Sequence, residues 1–467
     1  MAGVASRYDR YYHDYPDDPM SDSLKKIPLL RKIRAVLPES ISAHYRDYTR
    51  FRESIKRSRK YTDSQWNEFQ YSKVKELIHL CWDLIEGYRK HWESAGFHPD
   101  HFQSQDDITR IPMITKSIIR QDPDAFINPR ETSRFMHKSG GSTGVPFQFY
   151  EPANARIIEK AFMHEIWSRF YPEISLKTRS TIIRGKIIKD EIRFDPMLGL
   201  ILSSFNITTE NVRRFLKAMD RYKTPLLHAY PSSLYFVARI MKKYSMKPGH
   251  SFQAIMLGSE KLYDFQKDTI EEIFKAPVCH WYGQAEQVVL AGNKQDDNLF
   301  HTEPMYGYAE IITKEGKPAR AGESGEIIGT GFWNTVTPMI RYKTLDRAET
   351  ETDIAGKGIL RTIHGRMQDV VVSRSGALLS LVGLAPVMAQ YNEIENFRFV
   401  QEEPGRLQLM FIPSREGYEG PEQVARGVCK ALGAEYEVEM KEVNEIQPSP
   451  AGKNTFLEQR LDIEQFY

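Results

Sequence analysis

Polar and apolar positions follow three different rhythms along this chain. Between residues 65 and 95, Val74, Leu77, Ile78, Cys81, Leu84 and Ile85 recur at the spacing of one helix face, and Gly96 stops the run. Residues 134–150 then read as strand, loop, strand. After them come a helix over 153–170, a strand over 178–188, a helix over 206–222, a short strand over 226–230 and a helix over 234–244. A buried strand over 252–257, a helix over 264–274 and a strand over 278–281 continue the alternation. Strands alternating with helices of roughly 10–15 residues predict a parallel sheet in an α/β domain, with ligand loops at the C-terminal strand ends. From residue 300 the texture changes to short strands and Gly turns, over 308–312, 325–329, 339–342 and 359–363, which predicts a β-rich subdomain. The remainder reads as strands over 397–400 and 407–412 around a Pro404-Gly405 turn, a helix over 421–432 and a strand over 436–443, a small α+β unit.

A chain of 467 residues has a prior of two or three domains, and 41% hydrophobic with 27% charged residues is ordinary globular composition. The net charge of +2 points to no nucleic acid. Cys81, Cys279 and Cys429 lie far apart without Cys-x-x-Cys spacing, against a disulfide framework or a zinc site and in keeping with a reducing cytoplasm. No apolar run approaches the roughly 20 residues of a membrane span, and the N-terminus lacks a signal peptide's apolar core. Tyr8, Tyr11, Tyr12 and Tyr15 sit in a stretch, 1–20, with little to bury. From 24 to 60, twelve Lys and Arg face three acids. A solvated helical face is the preferred reading there; a weak peripheral contact with an anionic membrane through Ile27, Leu29, Leu30, Ile33 and Leu37 is the alternative.

The candidate chemistry centres on His137-Lys138-Ser139-Gly140-Gly141-Ser142-Thr143-Gly144-Val145-Pro146. Glycines and hydroxyls at this density can turn several N–H and O–H donors toward one anion. A Walker loop would need Lys and then Ser or Thr after its last glycine, but Val145-Pro146 follow; a dinucleotide fingerprint would open a helix, whereas this loop enters a strand. On its own the stretch reads equally well as an ordinary Gly/Ser turn.

Further segments follow in a fixed order: Leu257-Gly258-Ser259-Glu260, Trp281-Tyr282-Gly283-Gln284-Ala285-Glu286, Gly322-Glu323-Ser324-Gly325-Glu326, Pro338 to Asp346, Gly365-Arg366-Met367-Gln368-Asp369 and Ser449-Pro450-Ala451-Gly452-Lys453. The ordered set resembles the acyl-adenylate-forming ligases. Within that superfamily it is most similar to the phenylacetate–CoA ligase branch, including relatives encoded with capsule or other surface-polysaccharide enzymes. The stretch from Asp106 to Lys116 resembles the family's lead-in to the Gly/Ser loop. The resemblance spans residues 65–460 and is weakest over 375–400. It implies an α/β fold: a large N-terminal adenylate-forming domain (65–365) with parallel sheets and a β-rich subdomain, preceded by an arm and basic helical segment (1–64). A small α+β C-terminal lid domain (366–467), mobile about a hinge at Asp369, completes it.

The same resemblance implies roles. Ser139, Gly140, Gly141, Ser142, Thr143 and Gly144 would cradle the β- and γ-phosphates of ATP. Gly258, Ser259, Glu260, Tyr282 and Gly283 would bind ATP, Tyr282 and Gly258 against adenine, Asp346 would take the ribose hydroxyls, and Arg341 and Arg366 the phosphate and ribose oxygens. Glu286 would hold Mg²⁺ through the phosphates, Lys453 would bridge the carboxylate and the α-phosphate, and Tyr230-Pro231-Ser232 with the 257–260 loop would line the acyl pocket. Three positions depart from the family pattern: Val145 for Lys, Ala285 for Thr and Leu345 for Gly. The implied activity is ATP- and Mg²⁺-dependent activation of a small carboxylic acid as its acyl-adenylate, with transfer to CoA. One alternative transfers the acyl group to an amine of an amino sugar or amino acid; another is a non-catalytic nucleotide-binding or scaffold protein that kept the fold. The partners expected are the acid and CoA or an amine, with no nucleic acid, and a homodimer is left open.

Overall fold

A computed structural model describes residues 45–139, 147–184, 188–204, 207–366, 370–376, 378–380, 388, 391, 394–413, 421–447, 455–461 and 463–466. The chain divides into two compact units, residues 1–178 with 279–363 and residues 179–278 with 364–467. Among the described residues no helix is long and apolar enough to cross a membrane.

In the first unit, helix Asp63–Leu84 starts at a capping box in which Thr62 and Gln65 satisfy each other's backbone N–H groups. The single helix expected over 65–95 is two. Ile85, fully buried with extended backbone angles, ends the first and leads into Glu86–Ser94. The second helix closes as expected at Gly96, whose φ is +71°, with the Phe97 amide donating to the Trp92 carbonyl at 2.9 Å. Tyr88 then projects into the sheet region: its hydroxyl donates to the Pro338 carbonyl at 2.7 Å and accepts from the Ile340 amide at 3.1 Å. That contact holds Met339 and Ile340 as a buried lead-in. The strand expected over 339–342 therefore begins only at Tyr342 and runs to Thr350.

Hydrogen-bonded neighbours in this unit follow the order Ala355–Gly356, Gly307–Ile312, Ser324–Gly331, Tyr342–Thr350, Ile359–Arg366, Phe300–Thr302, Leu290–Gly292 and Val278–Gly283. The β-rich texture read from residue 300 onward is this largely antiparallel sheet. A separate hairpin pairs Arg134–Ser139 with Phe147–Pro152, Ser139 opposite Phe147, so the Gly/Ser stretch is the connection between two paired strands.

The basic stretch is partly a docked helix, Tyr45–Ser58, which buries Tyr48, Phe51 and Ile55; its residues before 45, and the Tyr-rich stretch, lie outside the described ones. Glu165, fully buried on helix Ala155–Trp167, receives Arg52 Nε at 2.6 Å and Arg59 Nη2 at 2.9 Å.

The second unit holds strands Ala254–Gly258, Leu226–Ala229, Ser180–Arg184 and Gly199–Ser203, parallel in that order, with Ile192–Asp195 antiparallel beyond. Helices Thr209–Tyr222, Pro231–Lys243 and Asp264–Phe274 pack on them. Strands Gly199–Ser203 and Ala254–Gly258 are buried at every position, the pattern of parallel strands covered on both faces. In the same unit, Ile394–Glu403 and Arg406–Pro413 form a hairpin turning at Gly405, whose φ is +74°. Glu437–Glu442 and Leu457–Gln459 add in parallel on its two sides, and helix Pro421–Leu432 accompanies them. Phe456 packs between Phe397 and the Phe236 and Tyr263 rings, and Arg239 Nη2 donates to the Ile394 carbonyl at 2.9 Å.

The Arg52–Glu165 pair is buried, so removing the carboxylate charge strands a guanidinium; Arg59, about half exposed, adds little. Glu165→Gln is expected to cost about 3 kcal/mol of stability, read as a fall in the denaturant midpoint. An unchanged midpoint would show that the helix is held by its apolar face alone.

Candidate functional site

Strand Val278–Gly283 carries Tyr282 at its end, and strand Tyr342–Thr350 carries Tyr342, Thr344 and Asp346 at alternate buried positions. These two strands bring the expected residues together in pairs. The Tyr282 hydroxyl donates to Asp346 Oδ2 at 2.8 Å, and Gln284 Nε2 donates to the same hydroxyl oxygen at 2.6 Å. Burial, with Asp346 beside it, raises the Tyr282 pKa well above its ordinary value, so the phenol keeps its proton. Four residues before Asp346, the Tyr342 hydroxyl donates to Glu286 Oε1 at 3.0 Å. Lys116 Nζ stands 3.0 Å from that oxygen.

Lys116 reaches Glu286 because the backbone before it is stitched to the strand. The Ile114 amide donates to the Arg341 carbonyl at 3.1 Å, and the Lys343 amide donates to the Ile114 carbonyl at 3.0 Å. Thr115 then caps the short helix that Lys116 opens. In the sequence, residues 106–116 read only as a lead-in to the loop. The local signal for Lys116 is a Thr cap followed by a Lys, and nothing nearby says which carboxylate it meets.

Arg341 is a correction. Instead of facing phosphate or ribose, its side chain is buried and its donors are taken within the unit. Nε and Nη2 hold both Glu310 oxygens at 3.0 and 2.9 Å, and Nη1 donates to the Thr109 and Ile111 carbonyls at 2.9 and 2.7 Å. A bidentate, buried guanidinium of this kind is a structural tie.

Leu345, where the family pattern has glycine, has φ +65° and is 36% exposed. The left-handed backbone that makes glycine natural there is retained, at a cost of roughly 1 kcal/mol for a side chain with a Cβ. The next residue, Asp346, still reaches Tyr282.

Next to Glu286 in the chain, Gln287 leads to a pair of acids that no sequence motif marks. Gln287, with φ +56°, donates from Nε2 to Glu159 Oε2 at 2.9 Å. Glu151 pairs with His137 at 3.1 Å, and Arg156 stands 3.8 Å from its other oxygen. Burial, then the neighbouring Glu151 charge, pushes the Glu159 pKa from its ordinary 4.5 up to about 7. These acids come from a strand and a helix with ordinary local patterns, so only their proximity in space reveals them.

In the second unit, Gly258 ends its strand and Ser259 follows with φ +68°. Glu260 Oε2 accepts from the Ser232 amide at 3.0 Å, in the first turn of the helix that Pro231 opens, and Tyr230 is buried just before it. The two stretches expected to line the acyl pocket thus meet. Arg184, which belongs to none of the sequence motifs, joins them: its Nη2 donates to Ser259 Oγ at 2.8 Å.

Arg366 ends strand Ile359–Arg366, and Ser139 ends Arg134–Ser139; neither side chain is described. Gly140, Gly141, Ser142, Thr143, Gly144, Asp369 and Lys453 lie outside the described residues. Among the described residues no group of three or more His, Cys, Asp or Glu is arranged to hold a metal. A single buried carboxylate such as Glu286 fits Mg²⁺ held mainly by phosphate and water, the usual manner for nucleotide-bound Mg²⁺.

No protein-family model matches the chain. Protein CapK of Staphylococcus aureus is 25% identical over 427 residues, covering 84% of this chain and 92% of CapK. Phenylacetate–coenzyme A ligase of Escherichia coli K12 is 22% identical, covering 69% of this chain and 74% of the ligase. The corresponding Thermus thermophilus ligase is 20% identical over 72% of this chain and 78% of its own length. Among solved structures, 2-hydroxyisobutyryl-CoA ligase with an acyl-AMP in the postadenylation state matches with a TM-score of 0.65 at 19% identity, over 86% of this chain and 90% of that one. The same ligase with 2-HIB-AMP and CoA matches with a TM-score of 0.55 at 18% identity.

Because Glu159 holds its proton more tightly folded than unfolded, its favourable contribution is complete below pH 4.5 and is lost as the pH rises toward about 7. Relative to Glu159→Gln, the wild-type chain is expected to lose about 3 kcal/mol of stability between pH 4.5 and 7. Denaturant titrations of both proteins across that range measure it; parallel curves would show that Glu159 titrates normally.

Proposed function

We propose that this chain, a homologue of the phenylacetate–CoA ligases and CapK with the fold of the acyl-adenylate-forming ligases, joins a small carboxylic acid to CoA through an acyl-adenylate. The observation that supports this reading most is the pair of contacts made by one strand, Asp346 with Tyr282 and Tyr342 with Glu286.

In the proposed reaction a carboxylate oxygen attacks the α-phosphorus of ATP and pyrophosphate leaves; the CoA sulfur then attacks the acyl carbon and AMP leaves. Asp346 accepts from the ribose hydroxyls, and Tyr282, kept protonated and fixed at its hydroxyl, offers its ring to adenine. Lys116 holds Glu286 in position, and Mg²⁺ on that carboxylate would neutralise phosphate charge. Ser139 to Gly144 would cradle the terminal phosphates, and Lys453, in the 366–467 segment read as a lid with its hinge at Asp369, would offset the charge of the two reacting anions. Ala285 leaves one phosphate donor to be replaced by another group, and Lys116, 3.0 Å from Glu286, would supply that charge. The reaction is assigned to the cytoplasm. The amine-acceptor alternative is decided by the same assay run with amines instead of CoA.

Purified protein with ATP and Mg²⁺ is expected to release pyrophosphate with one class of small acid, and Lys453→Ala to reduce that release at least about 100-fold, as loss of a transition-state charge contact does. Equal release by both proteins would remove Lys453 from the reaction. Pyrophosphate release without CoA consumption, but with amide formation, would replace the thiol acceptor by an amine.

A further inference from the structure

A cavity of about 660 Å³ opens in the first unit, within the size range of small-molecule sites. Its walls come from the end of helix Tyr45–Ser58, the start of helix Asp63–Leu84 and the segments around 169, 294–296 and 302–305. Trp66 and Met305, both buried, supply apolar wall. Arg169 ties the walls together: its Nη1 donates to the Gly292 carbonyl at 2.8 Å, and its own carbonyl accepts from Gln295 Nε2 at 2.7 Å. The cavity is therefore held in shape by contacts between distant parts of the chain. None of its lining residues belongs to the candidate nucleotide site.

Two groups of opposite charge line this cavity with bonding capacity to spare. Glu303 is 8% exposed; its Oε1 accepts from Arg169 Nη2, while Oε2 has no hydrogen-bond partner among the described residues. Burial pushes the Glu303 pKa up, and the nearby Arg169 and Arg59 charges oppose that shift. Arg59, whose side chain is 48% exposed, meets Glu165 Oε2 through Nη2 at 2.9 Å; its Nε and Nη1 have no partner among the described residues. Arg59 thus lies near enough to act on the Glu303 charge without pairing with it. Lys294 and Asp296, exposed residues of the lining, add one more charge of each sign. A simple anion placed here would satisfy Arg59 and leave the buried Glu303 oxygen unpaired, and a simple cation would do the reverse.

We infer that this cavity is a second ligand site, for a small zwitterion of the α-amino acid type. Its carboxylate lies on Arg59 and Lys294, its ammonium group on Glu303, and its apolar side chain against Trp66 and Met305. A guanidinium only donates and an ionised carboxylate only accepts, so each end of the ligand meets the group that can bond it. The inference stands apart from the ligase reading, with which it shares no residue.

Titration calorimetry on the full chain compares leucine, methionine and phenylalanine with the acid that lacks the amino group of each, the amine that lacks its carboxyl group, and inorganic phosphate. Wild type is expected to bind at least one amino acid at least about tenfold more tightly than its acid or amine partner, the scale of a hydrogen bond to a charged group. A non-hydrolysable ATP analogue, or Asp346→Ala, is expected to leave that binding unchanged. Arg59→Leu is expected to weaken it at least about tenfold and to abolish the advantage over the amine, and Glu303→Gln to abolish the advantage over the acid. Lys294→Ala is expected to weaken it about threefold, the scale of an exposed charge pair. Thermal midpoints confirm folding; if Glu303→Gln does not fold, the surface variants Arg59→Leu and Lys294→Ala decide. Binding of none of the three amino acids, or binding of the acid, the amine or phosphate as tight as that of the amino acid, overturns the site. Competition with the ATP analogue, or unchanged affinity in Arg59→Leu, overturns it as well.

Discussion

The buried Arg341–Glu310 ion pair sets the geometry of the first unit's site. Arg341 sits at φ +46° directly before strand Tyr342–Thr350, and its guanidinium spans Glu310 on one side and the Thr109 and Ile111 carbonyls on the other. Breaking such a pair from one side costs on the order of 3–5 kcal/mol, because the remaining charge stays buried. With that tie in place the strand starts at Tyr342, and the 109–116 segment is held close enough for Ile114 to bond on both sides of Tyr342.

From that register the rest follows. Alternate residues of one strand fall on one buried side, so Tyr342 and Asp346 address Glu286 and Tyr282 respectively. Lys116 arrives at Glu286 from the stitched segment. The left-handed Leu345 lies between the two pairs, and the left-handed Gln287 follows Glu286 and reaches back to Glu159. Two strained residues beside two candidate site pairs are the pattern expected where placement outweighs local comfort.

Much of this is legible in the sequence. The order of motifs singles out Tyr282, Glu286 and Asp346, and strand–helix alternation locates the parallel sheet of the second unit. What escapes depends on partners distant in sequence. Arg341 reads as an anion ligand because its motif places an arginine there, and only Glu310 and two carbonyls far from it in the chain show otherwise. The break at Ile85 carries no Gly or Pro, because a buried side chain rather than a breaker residue ends the helix. Lys116, Arg184 and the Glu151–Glu159 pair each gain meaning only from a neighbour in space.

We propose that the Tyr342–Thr350 strand presents Asp346 to a nucleotide. Titration calorimetry of a non-hydrolysable ATP analogue with Mg²⁺, on wild type and Asp346→Ala of equal thermal midpoint, tests it most directly. Wild type is expected to bind, and the variant to lose at least about tenfold in affinity, the scale of a hydrogen bond to a charged group. Equal affinity in both proteins would contradict it.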